Sequence, residues 1–211
     1  MIVNERLTTY INSLDSDNSL LLSELREYAS LNEVPIIRRE MESFIRVLLE
    51  IKKPEKILEI GTAIAYSSIF MADNSNALIT TIENYDKRIV VAKENIKKAN
   101  MTERIKLVED DALKIVSELE EKFDFIFLDA AKGQYIEMLP DLIRLLPKGG
   151  ILLADNVLQD GDLVDSRFVE LRRQRTIHER MREFLFEVKH SEFLETSIIT
   201  IGDGVSLSVK K

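Results

Sequence analysis

The sequence predicts an α/β fold: a Rossmann-like, mostly parallel sheet of seven strands with helices on both faces. Short apolar runs alternate with helical patterns five times from Lys56 onward, which is the order of elements in a parallel sheet built from βα units. Two β-like runs follow the last long helix. The short join at residues 202–204 contains two glycines and predicts an antiparallel hairpin between these runs.

Length and composition indicate one domain. The chain has 211 residues, enough for a real core, and nothing in that length demands a second domain. We expect N-terminal helices over residues 1–52 and an α/β core over residues 53–211. The 29 basic and 37 acidic residues give a net charge of -8, which argues against binding nucleic acid or anionic membrane through overall charge. A local basic patch remains possible.

The absence of cysteine and the first residues of the chain exclude several classes of protein. The chain has no cysteine, which excludes disulfides, thiolate catalysis and zinc–thiolate sites. The first residues lack the pattern of a signal peptide, and no apolar run approaches the roughly 18 residues of a membrane span. We therefore expect a soluble, cytoplasmic protein without a membrane partner.

Three amphipathic helices are predicted at the start of the chain. A turn at residues 15–18 separates the first two, and the third stops before Pro54. These helices carry more apolar surface than a free appendage should, which predicts packing across a homodimer. The apolar residues at helical spacing are Leu7, Tyr10, Ile11, Leu14, Leu22, Leu25, Ala29, Met41, Phe44, Ile45, Leu48 and Leu49.

The strands and the late helix follow in order. A long helix is predicted before the hairpin, with an apolar stripe at Ile177, Met181, Phe184, Leu185 and Val188. The predicted strand segments are 56–61, 77–83, 104–110, 123–129 and 149–155, and then 193–201 and 205–211 in the hairpin.

Two of the apolar strands end on acids. Asp129 ends the segment FDFIFLD and is followed by Lys132, while Asp155 and Asn156 end GGILLADN. Because carboxyl ends of parallel strands share the edge where ligands bind, we expect these four side chains to lie together. Carboxylate and amide oxygens suit a hard cation such as Mg²⁺. Alternatively, Asp155 and Asn156 start a turn and Asp129 caps a helix.

The end of the first strand indicates the type of cofactor. Only Gly61 appears where a dinucleotide fingerprint needs three glycines, and Ala63 and Ala65 fill the positions that should be bare. A nicotinamide or flavin cofactor is therefore disfavoured. Glu83 closes the second strand about twenty residues on, in position to accept both hydroxyls of a ribose. An adenosine cofactor without a pyrophosphate is S-adenosylmethionine. In the alternative interpretation no cofactor binds here, Gly61 is an ordinary turn glycine and Glu83 is a solvated strand end.

Six motifs in order carry a family resemblance. They are LEIGTAIAYS, TIE, DDA, FLDAAKGQY, LLADNV and the terminal GDG. From about Pro35 to its C-terminus, the chain resembles the cation-dependent O-methyltransferases, the family of catechol and caffeoyl-CoA O-methyltransferases. The resemblance implies a class I S-adenosylmethionine-dependent methyltransferase fold, with extra helices at the N-terminus.

The resemblance also implies roles for individual residues. It implies that Lys132 acts as the base, beside a divalent metal, usually Mg²⁺, held by Asp129, Asp155 and Asn156. Tyr135 is a further candidate for the pocket wall, although a tyrosine on a first helical turn is more often part of the core. The residues implied at the cofactor are Glu59, Gly61 and Ser67 at the methionine moiety, Glu83 at the ribose, Asp111 and Ala112 by the adenine, and Asp129.

Two positions depart from the family pattern. Ala65 stands where the family usually has glycine, so we expect a methyl group that intrudes beside the cofactor and lowers its affinity. Asp110 stands where glycine usually precedes the Asp-Ala pair. Aspartate tolerates a left-handed backbone better than most residues, so we expect the turn at Asp110 to form and cofactor binding to survive both changes.

Within this family, the chain is most similar to bacterial enzymes that methylate 5-hydroxyuridine at the tRNA wobble position. The matching pieces include VPI, DAAKGQY, DNVL and the arginine-rich start of the late helix. This resemblance implies the tRNA anticodon region as partner, gripped at its phosphates by a local arginine cluster; the alternative is a solvated face. The arginines concerned are Arg38, Arg39, Arg167, Arg172, Arg173, Arg175, Arg180 and Arg182.

Two other functions remain open. The same chemistry on a small catechol-like phenol is the first alternative. A cofactor-binding module without catalysis is the second, and it comes from a different class of protein. A requirement for RNA distinguishes the tRNA hypothesis from the phenol hypothesis. Loss of turnover in Lys132→Ala and Asp155→Ala distinguishes an enzyme from a binding module.

Overall fold

A seven-stranded sheet forms the centre of the structure, a computed structural model that describes residues 3–164 and 175–211. The strands are β1 (Lys56–Ile60), β2 (Leu78–Glu83), β3 (Ile105–Glu109), β4 (Phe125–Leu128), β5 (Ile151–Ala154), β6 (Leu194–Ile199) and β7 (Val205–Lys210). Their order is β3-β2-β1-β4-β5-β7-β6. The pairs among β1 to β5 are parallel, and β7 pairs antiparallel with both β5 and β6. The predicted sheet and its C-terminal hairpin are confirmed.

Helices cover both faces of this sheet. Lys132–Gln134 and Gln159–Val164 form short 3-10 segments. The helices are α1 (Glu5–Asn12), α2 (Leu20–Leu31), α3 (Arg39–Lys52), α4 (Tyr66–Asp73), α5 (Asp86–Lys98), α6 (Ala112–Glu118), α7 (Tyr135–Leu145) and α8 (Arg175–His190).

The central strands are apolar throughout because both of their faces are buried. In β4, Phe125 and Phe127 join a cluster with α2 to α5, whereas Ile126 and Leu128 join a second cluster with α7 and α8. Successive side chains of a strand point to opposite faces, so a strand covered on both sides needs an unbroken apolar run. This explains why the runs in β4 and β5 predict buried strands.

The topology opens a crevice between β1 and β4. From β1 the chain crosses to β2 on one side, and β4 later returns to the other side of β1. Ligands bind at such a switch point, outside the carboxyl ends of the strands. The two ends are joined directly, because the backbone N–H of Asp129 donates to the carbonyl oxygen of Ile60 at 2.9 Å.

The hairpin turn fixes the end of β5. The backbone N–H of Val157 donates to the carbonyl oxygen of Gly204 at 2.9 Å, and that of Leu158 donates to Asp203 at 3.0 Å. Asn156 immediately before them has a φ of 54°, a left-handed conformation that asparagine adopts more readily than most residues. The side-chain amide of Asn156 also donates to Asp203 of this turn, at 3.3 Å.

The three predicted N-terminal helices are confirmed, and they differ in burial. Leu22 and Leu25 of α2 are buried in the core, as is Met41 of α3, but α1 has no buried residue. Its apolar stripe at Leu7 and Tyr10 continues to Ile11 and Leu14, and each of these side chains is more than half exposed. Among the described residues, no helix has the length and apolar character needed to cross a membrane.

Candidate active site

A cleft of about 640 Å³ lies at the carboxyl edge of the sheet, a volume suited to a small-molecule ligand. One wall is the loop after β1 and the other is the segment 35–38. Among the residues predicted to bind, Glu59 is buried with no exposed surface and Asp111 caps α6, so neither is part of the lining. The predicted residues that do line the cleft are Arg38, Gly61, Ser67, Glu83, Ala112, Asp129, Lys132, Asp155 and Asn156.

Glu59 lies behind the loop that follows β1. One of its carboxylate oxygens, Oε2, accepts hydrogen bonds from Ser68 and, at 2.6 Å, from Thr81. The other oxygen, Oε1, is buried without a partner among the described residues. Burial raises the pKa of Glu59 to about 7, against the opposing effect of its hydroxyl donors. This oxygen is enclosed behind the loop, since Glu59 does not line the cleft.

The loop after β1 contains two alanines in left-handed backbone conformations, Ala63 with a φ of 46° and Ala65 with a φ of 66°. Ala65 is fully buried in the core and is not part of the cleft lining. The expected intrusion of its methyl group beside the cofactor is therefore wrong. The cost of alanine at this position is conformational, about 1 kcal/mol, because a Cβ crowds the backbone in this region.

Two neighbouring side chains hold this loop in place. Asn95 on α5 donates to the carbonyl oxygen of Ile64 at 2.9 Å, and Glu83 accepts from the backbone N–H of Ala63 at 2.9 Å. The second carboxylate oxygen of Glu83 accepts from the N–H groups of Asn84 and Tyr85. A carboxylate has about four acceptor sites, so these three bonds leave capacity for a ribose hydroxyl.

The adenine end differs from the prediction. Asp110 does not have a positive φ, so the left-handed turn expected there is absent. Instead, its carboxylate accepts from the backbone N–H of Asp111 at 2.8 Å and pairs with Lys114 at 2.5 Å. Asp111 accepts from the N–H of Lys114 as the cap of α6. Asp110 and Ala112 therefore line the cleft, and Asp111 stabilises the start of the helix.

The predicted cluster at the ends of β4 and β5 forms around a lysine. Lys132 Nζ lies 2.7 Å from Asp129 Oδ1, 2.9 Å from Asn156 Oδ1 and 3.3 Å from the carbonyl oxygen of Asp155. It also donates to the hydroxyl of Tyr135 at 2.8 Å. The ammonium group thus occupies the centre of an oxygen set contributed by two neighbouring strands.

Tyr135 supports this cluster from the core. Its ring is buried, packs edge-on against Phe184 with centroids 5.4 Å apart, and does not line the cleft. Its hydroxyl donates to the carbonyl oxygen of Leu128 at 3.0 Å. Burial acts to lower the pKa of Lys132, but interactions with Tyr135 and Asp129 outweigh it and raise that pKa above its usual range. Lys132 is therefore a protonated cation in this arrangement.

Two carboxyl groups, those of Asp129 and Asp155, lie beside the single ammonium group of Lys132. Asp155 is 3% exposed, and burial, followed by repulsion from Asp129, raises its pKa. In residues 3–164 and 175–211, no three Asp, Glu or His side chains converge to hold a metal, so the amide oxygen of Asn156 would have to be the third ligand. The set is nevertheless all oxygen, and its chemistry fits Mg²⁺.

The arginines predicted to grip RNA divide into different groups. Arg38 pairs with Asp203 at 2.5 Å across the mouth of the cleft, and Asp203 also accepts from Asn156 at 3.3 Å. Arg39 and Arg175 are exposed. Arg180 bonds to Gly133 and Glu137, and Arg182 to Leu163, which leaves both engaged within the fold. The predicted residues Arg167, Arg172 and Arg173 lie outside the described residues.

Sequence and structure comparisons agree with this geometry. A family model described as O-methyltransferase matches residues 12–211. The catechol O-methyltransferase of Niastella koreensis is 35% identical over 133 residues, which are 60% of this chain and 60% of that protein. A caffeoyl-CoA O-methyltransferase of Populus kitakamiensis is 31% identical over 204 residues, covering 88% of this chain and 84% of that protein.

The fold comparison gives the same result. The SAH-bound methyltransferase PaMTH1 of Podospora anserina superimposes with a TM-score of 0.89 at 26% identity, covering 99% of this chain and 97% of that chain. The family match spans nearly the whole sequence, and the cleft lies where a switch-point sheet binds its ligand. This chain therefore belongs to the family of S-adenosylmethionine-dependent O-methyltransferases.

Proposed function

We propose that this O-methyltransferase methylates the hydroxyl of 5-hydroxyuridine at the tRNA wobble position, with a divalent cation such as Mg²⁺ as a second cofactor. The observation that carries the proposal is the convergence of Asp129, Lys132 and Asn156 in the same cleft as the loop after β1. Methyl transfer needs a donor site and an activated oxygen side by side, because proximity and alignment supply much of the rate. One continuous domain would provide both.

The donor half of the cleft would hold S-adenosylmethionine, which supplies the methyl group. Gly61 and Ser67 would lie at the methionine moiety, and Glu59 would support them from behind the loop, where it does not line the cleft. Glu83 would accept from the ribose, and Ala112 would lie by the adenine. These assignments follow the family motifs, with Asp110 in the place of Asp111 at the cleft surface.

The acceptor half would hold the cation and the substrate oxygens. Asp129, Asp155 and Asn156 would be its protein ligands, and the bound cation would supply the positive charge that lowers the pKa of a substrate hydroxyl. A 5-hydroxyuridine presents that hydroxyl next to a ring carbonyl, as a catechol presents two oxygens. Both substrates therefore suit the same oxygen set.

Lys132 would then either accept the hydroxyl proton at Nζ or orient the oxygen. As an ammonium it can only donate, and its raised pKa opposes proton transfer to it. A second positive charge beside Nζ would lower this pKa and release the amine as a base. Tyr135 would keep Nζ in place in either case, since its hydroxyl is fixed by the carbonyl oxygen of Leu128.

The RNA part of the proposal rests on the resemblance to the tRNA-modifying branch and on the exposed Arg39 and Arg175. A tRNA substrate would also imply a cytoplasmic enzyme. The exposed apolar stripe of α1 supports a homodimer, because a monomer seldom leaves such a contiguous stripe in water. A small catechol-like phenol is the second candidate, favoured by the names of the relatives.

A competition between substrates tests the proposal. Purified protein would be given Mg²⁺, S-adenosylmethionine and either an anticodon stem-loop that contains 5-hydroxyuridine or a caffeate-type phenol. We expect methylation of the RNA, loss of that activity in EDTA and recovery when Mg²⁺ is returned. Ready methylation of the phenol with an untouched RNA would reject the tRNA assignment and leave the phenol as substrate.

A further inference from the structure

A buried polar network joins the N-terminal helices to the loop after β1. Tyr66 ends this loop at the start of α4 and is 1% exposed. Its hydroxyl donates to Glu42 Oε1 of α3 at 2.5 Å. The same hydroxyl accepts from Arg26 of α2, whose Nε lies at 3.2 Å and whose Nη2 lies at 3.1 Å. Arg26 and Glu42 also bond to each other directly.

Arg26 reaches the opposite wall of the cleft as well. Its Nη2 donates to the carbonyl oxygen of Ile37 at 3.0 Å, and Ile37 is one of the residues that line the cleft. One guanidinium group therefore connects the wall formed by the loop after β1 to the wall formed by the segment 35–38. Its planar fork of donors can hold these partners at fixed angles, which a lysine could not do.

The loop itself needs such a support. Ala63 and Ala65 both have left-handed backbone conformations, which alanine does not favour on its own. Glu83 holds the start of the loop through the backbone N–H of Ala63, and Asn95 holds its middle through the carbonyl oxygen of Ile64. Its end is held through Tyr66, which lines the cleft together with the next residue, Ser67.

We propose that Tyr66, fixed by Arg26 and Glu42, is a positioning residue for the methyl-donor site and that the network sets the spacing between the two walls of the cleft. Helices α2 and α3 are then part of the cofactor site, although neither Arg26 nor Glu42 lines the cleft. The inference depends on the donor site alone and is independent of the RNA substrate.

Binding of S-adenosylhomocysteine tests this role without any methyl acceptor. Tyr66→Phe keeps the ring and removes the hydroxyl, while the direct Arg26–Glu42 pair remains. One hydrogen bond to a charged group contributes about 1.5 kcal/mol. If its loss shifts the loop away from the conformation that binds the ligand by the same free energy, the affinity falls by about tenfold. We expect that increase in Kd by titration calorimetry at 25 °C, in protein that circular dichroism shows to be folded.

Two further variants separate positioning from general stability. Glu42→Gln keeps an acceptor for Tyr66, so its loss of affinity should be smaller, about threefold, and should not add fully to that of Tyr66→Phe because both changes act on one network. Leu142→Ala is the matched control: it removes a buried side chain of α7, which contributes no residue to the network or to the cleft lining, so its Kd should stay near that of the wild type. A Tyr66→Phe protein that binds within twofold of wild type, or a Leu142→Ala protein that loses as much affinity, would overturn the inference.

Discussion

Gly61 and Asp129 are in such close contact that a Cβ on Gly61 would lie 1.9 Å from the carbonyl oxygen of Asp129. This contact joins the donor half of the cleft, at the end of β1, to the acceptor half, at the end of β4. The glycine is therefore required by the neighbouring strand as well as by its own φ of 102°. The two halves of the cleft are held at a fixed distance by this contact.

The contact predicts a large effect of Gly61→Ala. The added methyl would clash with backbone that cannot move away and would also have to adopt a positive φ, so we expect a loss of at least about 3 kcal/mol in the free energy of unfolding. Binding of S-adenosylhomocysteine should be lost with it. Urea denaturation measures the first effect and titration calorimetry the second.

Gly149→Ala is the control for this substitution. Gly149 has a φ of 75° and no atom within 4 Å of the added Cβ, so only the backbone cost of about 1 kcal/mol should appear. Equal losses in the two variants would show that the close approach of Asp129 does not matter.

Ala65→Gly should stabilise the protein. Glycine adopts the left-handed conformation of position 65 without a steric penalty, although it gains entropy in the unfolded chain, so the net gain should be about 1 kcal/mol or less. Ala72→Gly, inside helix α4 that Ala65 precedes and without a positive φ, should destabilise it instead. Thermal and urea unfolding of both variants measure the difference, and a destabilised Ala65→Gly protein contradicts the conformational explanation.

Glu59 should make the stability of the ligand-free protein depend on pH. Its pKa rises from 4.5 to about 7 on folding, so between these values the folded state keeps a proton that the unfolded state has lost. This contribution to stability is complete below pH 4.5 and is lost as the pH rises through 7, with a span of about 3 kcal/mol. In Glu59→Gln the contribution is absent. Denaturation curves of the two proteins should therefore converge or cross between pH 4.5 and 8, and a constant difference would contradict the raised pKa.

Lys132 and Asp155 distinguish an enzyme from a binding module. Lys132→Ala and Asp155→Ala should each reduce turnover by about a hundredfold or more, because they remove a proton-transfer or orienting group and a cation ligand. Both should bind S-adenosylhomocysteine within about threefold of wild type, since the donor half is unchanged. Lys93→Ala, at an exposed surface pair with Glu109, is the control and should leave turnover intact. Absence of turnover in the wild-type protein would favour the non-catalytic module, and unaltered turnover in the two site variants would contradict the roles assigned to Lys132 and Asp155.

Features set by local sequence patterns could be predicted, whereas contacts between residues far apart in the sequence could not. The unbroken apolar runs of β4 and β5 predict strands buried on both faces, and the shared edge of parallel strands then predicts that Asp129 and Asn156 meet. The pairing of Arg38 with Asp203 and the network of Arg26, Glu42 and Tyr66 join residues far apart in the sequence, and local patterns do not indicate such partners.

Three local details were also beyond pattern reasoning. The methyl group of Ala65 points into the core and not into the cleft, because the loop turns left-handed at that residue. Asp111 caps α6, so the neighbouring Asp110 faces the cleft in its place. Glu59 accepts hydrogen bonds from Ser68 and Thr81 behind the loop and does not line the cleft, although its motif predicts a place at the cofactor.

The substrate assignment is tested most directly by mass spectrometry of tRNA nucleosides from cells that lack this protein. The proposed function predicts that 5-hydroxyuridine accumulates and 5-methoxyuridine disappears, and that wild-type protein restores 5-methoxyuridine while Lys132→Ala does not. Unchanged 5-methoxyuridine in the deleted cells would contradict a role in tRNA methylation.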